Sequence, residues 1–279
     1  MKGINTFLKY FVIIFWPLSL YLANTRQNFL EYLLPLLLLL VSFFLHTKKF
    51  KEFYLLLLLI PFIEIKLIPF SLMFLLGIFV LKKLANNKNN KLLLFSLIFL
   101  ITISFVKRTD IIGQTILIPD YEKQQEVLRE IHLYPNVFTA RLFQNKARIV
   151  LDKYLSNLLA LTDPNNYFFS FHPGEGNLVN QNLAKFPYLS IIPMLIGSFN
   201  LKRYKYFSFI LLAFCSGVIS LSLMTNFDRH DFILWLPLSL TFLFGMDIIS
   251  KMKGNFKHVF VILFFITSLF ELIRILYQY

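Results

Sequence analysis

There is one cysteine in this sequence, Cys215, and it lies inside an apolar segment. No intrachain disulfide can form, and redox compartment is not readable from it. Charge is scarce as well: 15% of the residues are Asp, Glu, Lys or Arg, against about 25% in an ordinary soluble domain. Acid is scarcest, with 15 Asp and Glu against 28 Lys and Arg. No Asp or Glu falls in the middle of a clear apolar segment, which weighs against a proton-coupled transporter. G-x-x-x-x-G-K-[ST], G-x-G-x-x-G, C-x-x-C, H-E-x-x-H and G-x-S-x-G are all missing, so nothing supports a soluble-type nucleotide site, a structural zinc or a serine hydrolase. The alternation of a membrane β-barrel is missing too. There is no internal repeat and no Gly/Ser-rich or Pro-rich linker.

What is present is apolar. Hydrophobic residues make up 57% of the chain and its mean hydropathy is +0.65. Polar residues cluster between apolar runs, the pattern of an all-α polytopic transmembrane bundle. About nine membrane segments are expected, at 7–23, 29–45, 53–63, 67–81, 92–106, 186–199, 206–224, 232–249 and 259–277. The first is read as a retained helix rather than a signal peptide, because no convincing A-x-A site follows it. Lys9 lies near its end, where it can snorkel to the interface. The third and fourth segments are read as a hairpin broken at Glu64 and Lys66. One helix over 53–81 would be roughly 43 Å long, well beyond the hydrocarbon thickness.

Charge sets the orientation. The formal net charge is +13, which in a soluble protein would point to nucleic acid. Here the basic residues sit at the ends of apolar runs, so membrane lipids are the expected partners and no nucleic acid is. With nine segments and a cytoplasmic N-terminus, the loops carrying Lys48, Lys49 and Lys51, Lys82, Lys83, Lys88 and Lys91, Lys202, Arg203 and Lys205, and Lys251, Lys253 and Lys257 all face the cytoplasm. The external turns hold only Arg26, Lys66 and Arg229. Three regions follow: N-terminal transmembrane helices over 1–106, an extracytoplasmic helical insert over 107–186, and C-terminal transmembrane helices over 187–279. The expected location is a cell membrane, multi-pass.

The insert is the one long polar stretch. A β-prone run covers 111–118. A helix is expected to start at Asp120 as N-cap. A longer one is expected over 137–161, with Phe143, Ala147, Val150, Tyr154, Leu158 and Leu161 forming one apolar face. Arg141 and Arg148, and Lys146 and Lys153, form basic rows on the other side, with Asp152 between them. Such a helix lies well at a membrane surface, where Arg141, Lys146 and Arg148 are candidate phosphate contacts. The alternative is an apolar face packed on the bundle and a basic face that is only solvated. Beyond the turn 162–166, Tyr167, Phe168, Phe169 and Phe171 form either an aromatic interface belt or the lining of a lipid or acceptor groove. His172 and Glu175, on the Pro-Gly-Glu-Gly loop, either face that groove or are ordinary exposed loop residues. The densest polar group is Asp228-Arg229-His230-Asp231, in a short external turn. It can bind a phosphate or a divalent ion or do acid/base work, or its members can simply pair with one another and with water. No cofactor is evident, no metal ligands are assigned, and a divalent metal has no other support. Asp247 with Lys251, and Glu271 with Arg274, read as helix-end pairs.

A basic surface helix leads into Tyr154-Leu155-Ser156-Asn157 and then Asp163-Pro164-Asn165-Asn166-Tyr167-Phe168-Phe169. Lys185-Phe186-Pro187 then opens a helix reaching Leu195-Ile196-Gly197. This order resembles the C-terminal half of polytopic glycosyltransferases of the GT-C type, over about 107–249. Arg229-His230, with Pro237 in the helix that follows, is similar to that family's Arg-Tyr loop. The resemblance implies a polyprenyl-phosphate sugar donor and inverting sugar transfer, with Arg229 and His230 at the donor phosphate and Tyr167, Phe168, Phe171, His172 and Glu175 along an acceptor groove. The family's essential acid lies in the first outside loop. Here that loop is Asn24-Thr25-Arg26-Gln27-Asn28, with no carboxylate, and Glu31 is the nearest acid. The expectation is therefore a membrane glycosyltransferase or the non-catalytic half of one, the alternative being a non-enzymatic scaffold or partner subunit for a catalytic chain. A transporter with a broken-helix site at Glu64 and Lys66 ranks third.

Overall fold

The computed structural model describes residues 2–23, 29–50, 52–84, 91–118, 121–133, 136, 138, 145–169, 184–225, 227, 230–252 and 254–278. Its helices are α1 (Lys2–Ala23), α2 (Phe29–Thr47), α3 (Ile60–Ile63), α4 (Ile68–Leu84), α5 (Lys91–Val106), α6 (Arg108–Ile112), α7 (Tyr121–His132), α8 (Lys146–Thr162), α9 (Asn165–Phe168), α10 (Ile191–Asn200), α11 (Phe207–Ser222), α12 (Trp235–Lys251) and α13 (Phe256–Gln278). No strand forms among the described residues; the 111–118 run folds as α6 and a turn that makes one antiparallel bridge, Thr115 with Met224. Among the described residues, three stretches are long and apolar enough to cross a membrane: Ile65–Leu84, Asp231–Lys251 and Phe256–Arg274. Five shorter apolar helices accompany them.

The break at Glu64 is a true reversal. Glu64 is extended (φ −138°, ψ 105°), and its side chain accepts from the Lys66 N–H. An unbroken helix would hold residues 57 and 71 about 21 Å apart. Instead the Ser71 hydroxyl donates to the Leu57 carbonyl at 3.1 Å, and the Lys82 ammonium lies 4.8 Å from the Tyr54 ring centre. The first arm is not a regular helix, because Phe53–Leu58 winds as a 3-10 helix before α3.

Two packing solutions hold the centre of the bundle. α10 and α12 meet backbone to backbone: a Cβ on Gly197 would stand 2.2 Å from the Thr241 carbonyl oxygen, and one on Gly245 would stand 1.8 Å from that of Pro193. A glycine on each helix, one turn after Pro193 and Thr241 respectively, permits this approach, as small residues do where helices associate without water to drive them together. α1 and α12 are joined by backbone accounting. Pro17 has no N–H, so the Ile13 carbonyl four residues earlier loses its helical donor. The Trp235 indole N–H donates to that carbonyl at 2.8 Å.

The contacts sort to two ends. At one end His46 lies 6.1 Å from Tyr206, Tyr204 lies 4.7 Å from Phe244, and Lys9 pairs with Asp247. The end of α2, the basic stretch before α11 and the last turns of α12 thus lie together. Lys9 meets a carboxylate there, where the sequence suggested only snorkelling, and Asp247 takes Lys9 as its partner where Lys251 was expected. At the opposite end lie α6, α8, α9 and the stretch 184–190.

Candidate functional site at the cap–bundle seam

The stretch 184–190 is where the polar region meets the bundle, and nearly every group on it is used. The backbone N–H groups of Lys185 and Phe186 both donate to the Tyr167 carbonyl, at 3.1 and 3.0 Å. The Phe186 ring packs edge-on against Trp16 at 5.3 Å. The Tyr188 N–H donates to both carboxylate oxygens of Glu271, at 2.9 and 3.0 Å. Glu271 therefore anchors the start of the next helix from α13, a role that pairing with Arg274 did not anticipate.

Lys185 is the centre of the seam. It is 3% exposed, and it forms an ion pair with Asp231, which is 2% exposed. Its ammonium also donates to Asn166 Oδ1 at 2.6 Å. The remaining directions meet the rings of Trp16 at 5.6 Å and Tyr167 at 5.3 Å. An ammonium taken from water is tolerable only when its donors and its charge are both met, and here an anion, an amide and two ring faces do so. Tyr167 is held in turn by its hydroxyl, which donates to the Leu161 carbonyl at 2.6 Å. Trp16 lies seven residues before the end of α1, so this centre sits roughly 10 Å inside the bundle and not on its surface.

That placement revises several expectations. Tyr167 and Phe168 are buried among Trp16, Phe186 and each other. They fill the seam and do not line an open groove, because both sit on the short α9 turned inward by the Asp163-Pro164 turn. His230 and Asp231 are likewise buried, with the His230 ring 6.4 Å from Phe232. They are not exposed members of a solvated turn. Arg141, Phe171, His172, Glu175 and Arg229, together with the Glu31 side chain, lie outside the described residues.

Lys146 and Arg148 are described and exposed. Helix α8 begins at Lys146 and not near residue 137, because Asn145 caps it, accepting from the Arg148 N–H at 3.0 Å. Arg148 pairs with Asp152 one turn on, at 3.3 Å. Beside Lys146 opens a groove of about 380 Å³, walled by Ala147, Val150, Leu151 and Tyr154 of α8 and by Leu223. The helix is fixed there by Asn157, named in the sequence only as the end of the Tyr154–Asn157 segment and given no role. Its amide donates to the carbonyls of Ser222 and Met224 at 3.1 and 2.9 Å, partners that the C-terminus of α11 needs. A second, nearly closed cavity of about 10 Å³ lies between Lys66, Gln114, Thr115 and Ser220. Neither cavity has a carboxylate in its lining. Among the described residues no three His, Cys, Asp or Glu side chains converge as metal ligands.

The class this fold defines is a helical protein whose described residues include three membrane-length apolar stretches, capped at one end by a polar helical region. No protein-family model, curated protein or solved structure matches the chain.

Proposed function

We propose that this is an integral membrane protein that presents a lipid-phosphate surface on its extracytoplasmic side, as the non-catalytic half or partner subunit of a polyprenyl-phosphate-dependent glycosyltransferase. The N-terminus and the lysine loops face the cytoplasm, and residues 107–186 face outward. The orientation is supported by the basic stretches near His46, Tyr206 and Asp247, which meet at the end opposite α8. The observation that carries the non-catalytic reading is the state of Asp231. It directly follows the Arg229-His230 pair of the resemblance, and it is buried against Lys185, out of reach of an acceptor hydroxyl.

The lipid-phosphate reading assigns Arg229 to the donor phosphate, with Lys146 and Arg148 as further basic groups along the same boundary. It is tested with the full-length protein in lipid nanodiscs, by titration with a polyprenyl-phosphate sugar. The wild type is expected to bind, and Arg229→Ala to bind about tenfold or more weakly, the loss of a charge-assisted contact. Sugar transfer by this chain alone would overturn the non-catalytic assignment. Equal binding by wild type and Arg229→Ala would overturn the role of Arg229.

A further inference from the structure

Helix α8 carries a second apolar face that its sequence pattern did not bring out. From Val150 onward the face named from periodicity turns toward the bundle, Leu161 buried and Val150, Tyr154 and Leu158 half-buried, while Ala147 is exposed. Leu151, Leu155 and Leu159, each four residues apart, instead form a ridge pointing away from the protein, and they are 55%, 43% and 68% exposed. Four-residue steps keep successive side chains within about 40° of one another on a helix. Leu151 also walls the groove beside Lys146, so ridge and groove are one continuous apolar surface with a cation at its end.

The depth of that surface follows from α11. The helix has 16 residues, a rise of roughly 24 Å, whereas the hydrocarbon core is about 30 Å thick. The basic loop with Lys202, Arg203 and Lys205 stands before it and holds that end among headgroups. The far end of α11 then stops short of the opposite headgroup layer. Asn157 binds α8 to the last carbonyls of that end. A helix docked at that depth has its outward leucines against lipid and not water.

We propose that α8 is set into the bilayer boundary by the Leu151–Leu155–Leu159 ridge, and that the adjoining groove holds one chain of a membrane phospholipid whose phosphate rests on Lys146. The occupant is a lipid because the groove wall is apolar, its one charged member is a cation, and it opens at the depth of the acyl chains. Only the membrane placement of α11 is needed for this, not the sugar-donor assignment.

The test uses full-length protein with Cys215→Ala, reconstituted in vesicles of phosphatidylcholine and phosphatidylglycerol. Leu155→Cys and Ser156→Cys are each spin-labelled and probed by oxygen, which partitions into lipid, and by a water-soluble nickel chelate. The label at 155 is expected to be open to oxygen and shielded from nickel, and the label at the exposed neighbour 156 to show the reverse. Equal nickel access at both positions overturns the ridge. Phosphatidylglycerol kept by the protein through detergent washing is then counted by native mass spectrometry. Lys146→Gln is expected to lower its retention about fivefold, and added inorganic phosphate to leave it unchanged. Retention unaffected by Lys146→Gln, or displacement by inorganic phosphate, overturns the lipid site. These outcomes are independent of whether a polyprenyl-phosphate sugar binds.

Discussion

Lys185→Met keeps the length of the side chain and removes its charge, and its consequences can be worked from the seam. Asp231 has Lys185 as its hydrogen-bond partner and no other among the described residues. Lys185→Met therefore leaves a carboxylate 2% exposed with nothing to answer it, at a cost of about 3–5 kcal/mol. Asp231→Asn is the milder change. The ammonium keeps Asn166 at 2.6 Å and both ring faces, and gains an amide oxygen where the carboxylate stood, so the expected loss is about 1–3 kcal/mol. Lys185→Met combined with Asp231→Leu removes both charges from a site walled by Trp16, Tyr167 and Phe186. Replacing a whole buried pair by apolar groups is close to neutral, so the double variant should fall within about 1 kcal/mol of wild type. The assay is equilibrium unfolding of the detergent-solubilised protein, followed by helical signal and by tryptophan emission, since Trp16 lies at the pair itself. The double-mutant cycle is closed by Asp231→Leu alone, which strands the buried ammonium at about 3–5 kcal/mol, and it then yields a coupling of about 5 kcal/mol or more. A double variant whose loss equals the sum of the two single losses would refute the view that these residues stabilise only as a pair. So would a Lys185→Met variant as stable as wild type.

The α10–α12 contact predicts an order of damage among glycine variants. Gly245→Ala and Gly197→Ala drive a methyl into a backbone carbonyl, at 1.8 and 2.2 Å. The helices must part, at about 1–3 kcal/mol or more. Gly217→Ala meets the Leu234 side-chain tip at 2.5 Å, which can rotate away, and should cost less; melting temperatures in detergent rank the three. Asn157→Ala removes two hydrogen bonds and leaves the Ser222 and Met224 carbonyls without that donor, for about 1–3 kcal/mol. It should also raise hydrogen exchange in α8 before any change in α12, because the contact it breaks is local to the cap.

Much of the architecture could be read from charge and hydropathy alone. The hairpin at Glu64 was legible because two basic loops flank it and a single span cannot put both on one side. The cap at one end was legible because one polar stretch interrupts the apolar segments. The start of α8 was misread for a local reason. Residues 137–145 continue the apolar periodicity, but Asn145 offers its side chain to the Arg148 N–H, and a cap of this kind outweighs a periodic pattern in fixing where a helix begins. The sequence alone reads the aromatic run at 167–169 as an interface belt or the lining of a groove, because aromatics are common at membrane boundaries; Phe169 is indeed exposed, but Phe168 is buried and so is Tyr167. Its burial depends on Trp16 and Phe186, which lie 151 residues before and 19 after Tyr167 in the chain.

The seam itself left a fainter trace. Lys185 and Asp231 have opposite charge and directly precede two apolar segments, 186–199 and 232–249, that are expected to enter the bundle from the same side. Two such residues facing hydrocarbon without partners would each be costly, so their pairing was a legible option once both segments were placed. The other tertiary bonds were not legible at all. The Trp235 indole answers the carbonyl that Pro17 exposes, Asn157 answers the end of α11, and Glu271 answers the N–H of Tyr188. In each case a polar side chain satisfies a backbone group on another element, as a medium without water demands. Helical periodicity shows which face is apolar, but not which neighbour that face will meet. The polar residues joining these helices are therefore specified by backbone groups left open at prolines and helix ends, and those positions are where a sequence of this kind should be searched for its tertiary contacts.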